Sequence, residues 1–197
     1  MSAVAKPRFT LGEYLARERV EVTKSEFYRG EIFAMAGGSI RHNRICANLI
    51  INLGRRLQGS TCQVTTSDQR IRIPAVDLST YPDISIICGE PQPDTADTQA
   101  IVNPRVIFEV LSKSTEGYDR GKKFDFYREL DSLQEFMLVS QEEPHVERNV
   151  RQPNGSWLLT VFKGMDSELV FSSLSISLPF AEIYDRVEFG REEEGAQ

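Results

Sequence analysis

Two carboxylates stand at the ends of two apolar runs in the middle of the chain. Asp83 follows Pro82 and opens the run Ile84–Cys88, and Glu109 lies near the end of the run Val106–Leu111. If these runs are neighbouring antiparallel strands, the start of one lies beside the end of the other. The pattern therefore predicts that Asp83 and Glu109 meet at one edge of a sheet.

Such a pair of carboxylates favours a bound divalent cation. By strand alternation, Glu109 shares its face with aliphatic side chains, where an unpaired charge is costly. Two adjacent carboxylates also repel each other, which raises the pKa of one of them. Mg²⁺ or Mn²⁺ would remove both penalties, because these hard cations prefer carboxylate oxygens, water and phosphate as ligands. We expect Asp83 and Glu109 to be the metal ligands.

A lysine in the next predicted helix, over residues 118–130, provides a third candidate group. Lys123 lies on the same helix face as three large side chains, Phe126, Tyr127 and Leu130. A lysine on an inward face needs an anion nearby. It could orient an attacking water and stabilise charge on a scissile phosphate.

Each of these groups also has an ordinary alternative role. Asp83 could be a turn residue after proline, Glu109 a salt-bridge partner and Lys123 a surface lysine with a buried stem. The strand–strand–helix order of the three residues favours the shared site over three separate roles.

The rest of the chain predicts a mixture of helices and strands. Capping signals open two helices, and glycine turns separate several short strands. The predicted helices cover residues 10–19, 39–57 and 118–130, with a last helical turn at 180–184. The predicted strands cover residues 26–29, 31–36, 63–66, 70–73, 83–88, 105–111, 135–141, 145–151, 157–163 and 174–178, and the three from 135 to 163 form an antiparallel meander.

Length and charge limit the classes of protein. The chain has 197 residues, which predicts one domain over residues 1–190 and an acidic, disordered tail at 191–197. The net charge of −6 argues against a protein that coats DNA by bulk electrostatic attraction. No apolar run can span a bilayer and residues 1–10 have no signal-peptide core, so the expected compartment is the cytoplasm.

The three cysteines suggest neither a disulfide framework nor a zinc motif. Cys46, Cys62 and Cys88 are odd in number and widely spaced. Cys46 and Cys88 fall inside apolar patterns and are interpreted as small core residues.

Four segments of this chain resemble the Uma-two (Uma2) family, a set of restriction-endonuclease-like proteins in the PD-(D/E)XK nuclease superfamily. The likeness extends over almost the whole chain. The segments are Pro82-Asp83, Glu109-Val-Leu-Ser-Lys-Ser-Thr115, Tyr118-Asp-Arg-Gly-Lys-Lys-Phe-Asp-Phe-Tyr127 and Leu133-Gln-Glu-Phe-Met-Leu-Val139.

The resemblance implies an α/β (α+β) restriction-endonuclease-like core, a mixed sheet with helices on its faces, here with the antiparallel meander added. It implies Asp83 and Glu109 as metal ligands, together with the carbonyl of Val110. The superfamily usually places its lysine two residues after the glutamate, where this chain has Leu111. A lysine from the next helix then replaces it, and that position corresponds to Lys123.

Other residues are candidates for supporting roles. Glu31 opens a strand and could be a further catalytic or metal ligand, or a charge at the hairpin edge. His42 lies on the core stripe of its helix, so it could be a satisfied core histidine or a site residue. Gln134 and Tyr127 could also contact the site.

A local basic face could contact nucleic acid. Arg41 and Arg44 lie mostly off the apolar stripe of their helix. Surface arginines are also commonly just solvated, and nothing in this pattern predicts the reading of particular bases.

The residues and the resemblance together predict a metal-dependent endonuclease that hydrolyses DNA phosphodiester bonds and leaves a 5′-phosphate. One alternative is a non-catalytic relative that binds nucleic acid or a protein partner. Another is a metal hydrolase that acts on a different phosphoester. Because enzymes that cut both strands are often two-fold dimers, a homodimer is expected by analogy.

Overall fold

The computed structural model describes residues 7–113 and 115–190 of the chain. The helices are α1 (Leu11–Glu18), α2 (Ile40–Arg56), α3 (Glu116–Tyr118), α4 (Phe124–Tyr127) and α5 (Phe180–Ile183), with a π-helical segment (Asp119–Lys123) between α3 and α4. The strands are β1 (Ser25–Tyr28), β2 (Glu31–Ala34), β3 (Cys62–Thr66), β4 (Ile71–Ile73), β5 (Leu78–Thr80), β6 (Ile84–Cys88), β7 (Val106–Leu111), β8 (Glu135–Ser140), β9 (His145–Arg151), β10 (Trp157–Lys163), β11 (Glu168–Phe171) and β12 (Ile176–Pro179).

A six-stranded mixed sheet forms the centre of the fold, in the order β10-β9-β8-β7-β6-β3. Strands β7 and β8 are parallel, and the other neighbours in this sheet are antiparallel. The predicted mixed sheet with an antiparallel meander is therefore confirmed. A second sheet has the order β2-β1-β5-β4, and β11 pairs with β12.

Hydrophobic clusters cover the two faces of the central sheet, because successive side chains of each strand point to opposite faces. Ile45, Leu49 and Leu53 of α2 pack with Phe108 of β7 and its neighbours on one face. Tyr127 and other residues of the 116–130 segment pack on the opposite face. Glu109 lies on this second face, because strand alternation directs its side chain away from α2 and toward the helical segment that carries Tyr127.

Local sequence signals explain the starts of both long helices. Thr10 accepts a hydrogen bond from the Glu13 amide, and the Glu13 carboxylate accepts one from the Thr10 amide, which completes the predicted capping box. Ser39 caps α2 by accepting a hydrogen bond from the His42 amide. Ser39 therefore fixes the start of α2 at Ile40, two residues before His42.

Two short strands and a change of helix type differ from the sequence prediction. Strands β5 and β11 were not predicted, because three or four residues carry too little alternation to be seen. The helix predicted over residues 118–130 begins earlier and ends at Tyr127. It also widens to π geometry over Asp119–Lys123, which the 3.6-residue pattern does not reveal.

The expectation of no disulfide is wrong. Cys62 and Cys88 are joined in a disulfide although they are 26 residues apart in sequence. They lie directly opposite each other in the antiparallel β3–β6 pair, where side chains are close enough to bond. Spacing along the chain could not give this register. Cys88 is therefore a bonded residue, while Cys46 is free.

No helix in the two described ranges is both long and apolar enough to cross a membrane. The acidic tail predicted at residues 191–197 lies outside those ranges.

Candidate functional site

A cavity of about 330 Å³ opens where the end of β7, the start of α2 and the π-helical segment meet. The loop that joins β2 to α2 forms part of its wall, and β1 contributes from the second sheet. The acidic and basic side chains that line it are Glu26, His42, Asp83, Glu109, Asp119 and Lys123. This set contains four carboxylates and one lysine, so the cavity is rich in acidic groups.

The strand pairing predicted for the two central carboxylates is confirmed. Ile84 of β6 lies opposite Phe108 of β7 in an antiparallel register, so Asp83 and Glu109 occupy the next position at the same end of the pair. The Val110 amide donates a hydrogen bond of 2.7 Å to Oδ2 of Asp83. This bond fixes the Asp83 carboxylate against the end of β7.

His42 binds the same oxygen of Asp83. Its Nε2 lies 3.2 Å from Oδ2 of Asp83. Burial lowers the pKa of His42, but the hydrogen bond and the charge of Asp83 outweigh burial and raise it above the ordinary value. Gly38 packs so close to the imidazole that a Cβ at this position would overlap the ring. The predicted candidate His42 therefore contacts Asp83 directly.

Glu109 is almost completely buried, with 3% of its surface exposed. Its Oε1 accepts a hydrogen bond of 2.7 Å from the Tyr127 hydroxyl and lies 2.9 Å from Nζ of Lys123. Burial raises the pKa of Glu109 to about 8, Lys123 opposes the rise, and Asp83 adds to it. Tyr127, a predicted supporting residue, therefore orients this carboxylate.

Lys123 points into the protein, as the sequence predicts. Only 5% of Lys123 is exposed, and besides Glu109 its Nζ lies 3.6 Å from Oε1 of Glu26 and 3.6 Å from Oδ1 of Asp119. Burial opposes the charge of Lys123, but these carboxylates, Glu109 above all, raise its pKa well above the ordinary value. The lysine is therefore held as an ammonium ion.

Two carboxylates of the cavity were not singled out from the sequence. Asp119 is turned toward Lys123 by the π-helical segment, in which both residues are buried. Glu26 of β1 accepts hydrogen bonds from the hydroxyls of Thr80 and Tyr118. The four-residue spacing of Asp119 and Lys123 predicts that these two side chains meet on one helix face. The place of Glu26 in the cavity depends instead on the contact between the two sheets, which the sequence does not reveal.

Glu31, the predicted additional ligand, is not brought to the cavity. It lies at the start of β2 beside the hairpin turn, opposite Tyr28, whereas Glu26 lies opposite Phe33 further from the turn. Phe33 and Glu26 both line the cavity. The predicted face of the hairpin therefore does turn toward the cavity, but the acidic residue that lines the cavity from this face is Glu26 and not Glu31.

Gln134 also lies away from the cavity, at the other end of β8. Leu138 of β8 pairs with Glu109, so Gln134 is four residues, or about 13 Å, from that level. Gln141, just after β8, lines the cavity instead. Its Nε2 donates to the Leu111 carbonyl at 2.9 Å, and its Oε1 accepts from Ser39 at 2.6 Å.

The two predicted nucleic-acid contacts lie on α2 near the cavity. The Arg41 guanidinium is 3.4 Å from both the Gln141 carbonyl and the Glu142 carboxylate. Arg44 is exposed. Neither arginine lines the cavity, so any contact that they make with a ligand would be outside its mouth.

A family model described as "Uma2: Putative restriction endonuclease" matches residues 11–181. The chain belongs to the Uma2 family. The match extends from α1 to the last helical turn and includes every residue of the cavity.

Two uncharacterized proteins of Synechocystis sp. (strain ATCC 27184 / PCC 6803 / Kazusa) are similar to this Uma2 protein. The protein sll1609 is 38% identical over 167 residues, which are 85% of this chain and 94% of that protein. The protein slr1290 is 35% identical over 183 residues, which are 93% of this chain and 95% of that protein.

A solved structure has the same fold as this Uma2 protein. It is the crystal structure of a protein from Anabaena variabilis ATCC 29413 described as a putative nuclease belonging to DUF820. The TM-score is 0.71, with 90% of this chain and 98% of that chain covered at 19% identity. At that identity the likeness establishes the fold, and the chemistry must be argued from the cavity itself.

The donor atoms in the cavity of this Uma2 protein fit a hard divalent cation. Among the described residues, the hydrogen bonds and ion pairs of Asp83 use only Oδ2, and those of Glu109 use only Oε1. Each carboxylate therefore keeps one oxygen for a further ligand. The burial that raises the pKa of Glu109 is also the penalty that a bound cation would relieve.

Proposed function

We propose that this Uma2 protein is a metal-dependent endonuclease that hydrolyses DNA phosphodiester bonds. The observation that carries the proposal is the buried ammonium of Lys123, which lies 2.9 Å from Glu109 in the cavity that Asp83 also lines. Phosphodiester hydrolysis can use an ammonium group to stabilise charge and two adjacent carboxylates to hold a metal ion. Here the helix supplies the ammonium group, because the strand has the aliphatic Leu111 at the position two residues after Glu109.

Asp83 and Glu109 would hold Mg²⁺ or Mn²⁺ through their remaining oxygens. The carbonyl of Val110 is the third proposed ligand. A metal bound there would polarise the scissile phosphate and lower the pKa of a coordinated water. The Val110 amide supports this arrangement from the protein side, because it holds the Asp83 carboxylate in place.

The side chains around the carboxylates would set their orientation and charge. Tyr127 fixes the Glu109 carboxylate with a hydrogen bond. Lys123, kept protonated by its acidic neighbours, would stabilise the negative charge that develops on the phosphate in the transition state. Glu26 of β1 and Asp119 of the same π-helical segment hold the lysine in position.

DNA is the proposed substrate, although the chain carries a net charge of −6. Recognition would then depend on local contacts, because the overall charge repels a polyanion. The exposed Arg44 and the partly buried Arg41 lie on α2 next to the cavity and are the proposed phosphate contacts. A homodimer, the proposed assembly, would present two cavities to the two strands of a duplex.

Plasmid cleavage tests this proposal. Supercoiled DNA is incubated at low salt with the full chain and Mg²⁺ or Mn²⁺, and in parallel with Asp83→Ala, Glu109→Ala and Lys123→Met. We expect nicked and linear products with 5′-phosphate ends from the wild-type chain, far less product from the three variants, and no products in EDTA. Equal cleavage by all four proteins would contradict the proposal, because it would indicate a contaminant or another site.

One observation favours a second candidate, a non-catalytic protein that binds nucleic acid or a protein partner. Lys123 is surrounded by three carboxylates, and its ion pair with Glu109 competes with a metal for that side chain. In this case the wild-type chain would bind DNA in a gel-shift assay without cutting it. RNA and single-stranded DNA, tested in the same assays, distinguish the class of nucleic acid.

A further inference from the structure

A free cysteine lies beside the two residues at the α2 side of the cavity. Cys46 follows His42 by one helical turn, and its Sγ lies 3.7 Å from Nδ1 of His42. Oδ2 of Asp83 lies 3.2 Å from Nε2 of the same imidazole. One donor atom from each of the three residues can be chosen so that all lie within 4.8 Å of one another.

We propose that His42, Cys46 and Asp83 form a second metal site, for a thiophilic divalent cation of the zinc class. The type of donor atom determines which cation binds. Thiolate and imidazole select Zn²⁺ and related transition metals, whereas carboxylate and carbonyl oxygens suit Mg²⁺ and Mn²⁺. Glu109 and Val110, the other proposed metal ligands, provide oxygen donors only.

The donors are grouped closely enough for one ion to reach all three residues. Zn–S bonds of about 2.3 Å and Zn–N bonds of about 2.0 Å place neighbouring ligands roughly 3.3–3.6 Å apart. The 3.2 and 3.7 Å contacts belong to different ring nitrogens of His42, Nε2 toward Asp83 and Nδ1 toward Cys46, so one ion can use only one of these nitrogens. With a single donor atom from each residue, the three atoms lie within 4.8 Å of one another, and a bound ion would draw them closer together. Three protein ligands would leave the fourth position open.

The two metal sites cannot be filled independently, because Asp83 belongs to both. A zinc-class ion on His42 and Cys46 would draw the Asp83 carboxylate toward α2. It would therefore inhibit the Mg²⁺-dependent reaction without entering the Glu109 side of the cavity. This consequence for activity rests on the proposed function, whereas binding of the ion does not.

The thiol chemistry of the chain makes the site easy to observe. The chain has three cysteines, and two of them, Cys62 and Cys88, form the disulfide. Cys46 is the remaining free cysteine. Without added reductant, any thiolate-to-metal signal or thiol alkylation therefore reports on Cys46.

Cobalt absorption tests binding on the untagged full chain. Co²⁺ is titrated into wild-type protein, Cys46→Ser and Asp83→Asn. We expect one equivalent of Co²⁺ to give a near-ultraviolet thiolate-to-cobalt charge-transfer band in the wild-type protein, no band in Cys46→Ser, and Co²⁺ affinity more than about tenfold weaker in both variants. Co²⁺ bound without this band, or equally by wild type and Cys46→Ser, would overturn the proposal.

Alkylation supplies a second test that needs no variant. We expect Zn²⁺ to slow the reaction of Cys46 with iodoacetamide and Mg²⁺ to leave the rate unchanged. Equal rates with and without Zn²⁺ would also overturn the site. Zn²⁺ inhibition of cleavage is then compared in wild type and Cys46→Ser. If neither protein cuts DNA, the proposed function fails, while the cobalt and alkylation results still decide the metal site.

Discussion

The Nζ atom of Lys123 lies 2.9 Å from Oε1 of Glu109, and both side chains are buried. Lys123 belongs to the π-helical segment and Glu109 to β7. The segment packs on the face of the central sheet from which the Glu109 side chain projects. The strand position two residues after Glu109 holds Leu111, which packs in the hydrophobic cluster. The helix therefore supplies the positive charge that the strand lacks.

Replacing Lys123 tests the value of this charge. Lys123→Met keeps most of the stem but removes the ammonium, so cleavage should fall by about 10²-fold or more, as for loss of a preorganised charge-stabilising group. Lys122→Met is the matched control, because Lys122 is an exposed neighbour in the same segment. Rates of plasmid nicking at saturating Mg²⁺ give the comparison. Similar losses in both variants would contradict a specific role for Lys123.

The two glutamines that flank β8 offer a second matched pair. Gln141→Leu removes the partners of the Leu111 carbonyl and the Ser39 hydroxyl, and should lower the free energy of unfolding by about 1–3 kcal/mol. Gln134 lies at the far end of the strand, so Gln134→Leu should change the free energy of unfolding by less than about 0.5 kcal/mol. Urea unfolding measures both. Equal effects would mean that Gln141 does not tie α2 to β7.

The central strand pair was predictable because it depends on local pattern. The two apolar runs define β6 and β7, and their antiparallel pairing follows from one assumption about neighbours. That is enough to bring Asp83 and Glu109 to the same end of the sheet. Lys123 was also predictable, because a helix with one apolar face turns a lysine on that face inward.

The rest of the cavity depends on long-range register that one sequence does not contain. Glu26 and Glu31 both alternate with apolar residues in the same hairpin, and only the docking of that hairpin on the central sheet selects Glu26. Gln134 and Gln141 flank the same strand, and only its parallel pairing with β7 shows which end is near the cavity. Cys62 and Cys88 likewise meet only because of the register in which β3 pairs with β6.

Adding a methyl group at Gly38 should disturb His42. A Cβ at Gly38 would overlap the imidazole, whereas a Cβ at Gly37 would meet no atom within 4 Å. We expect Gly38→Ala to weaken the contact between His42 and Asp83, and so to lower the pKa of His42. Gly37→Ala lowers the conformational entropy of the unfolded chain by the same amount, so it is the control.

Proton NMR can measure this pKa, since the chain has only two histidines. The expected result is a downward shift for His42 in Gly38→Ala alone, because Asp83 is the group that raises its pKa. Cleavage should fall in the same variant. An unchanged His42 titration in Gly38→Ala would show that the loop yields and that the close approach is unimportant.

The buried carboxylate of Glu109 should make stability depend on pH in metal-free protein. Its pKa is about 8 in the folded chain, against about 4.3 for an ordinary glutamate. Between these values the folded chain keeps a proton that the unfolded chain has released, so stability falls as pH rises. The loss is at most about 1.4 kcal/mol per pH unit. Glu109→Gln, which keeps an acceptor for Tyr127, should lack this contribution.

Other groups do not reverse the sign of this comparison. The raised pKa of Lys123 adds stability that is lost only above the ordinary lysine value of about 10.4, outside this window. The raised pKa of His42 adds stability that is lost as pH rises, but it does so in both proteins.

Urea unfolding in EDTA between about pH 5 and 8 should therefore show the wild-type chain losing stability relative to Glu109→Gln. Mg²⁺ should restore more stability at the upper pH, because Glu109 must release its proton to bind a cation. Parallel curves for the two proteins would mean that Glu109 is already ionised at neutral pH.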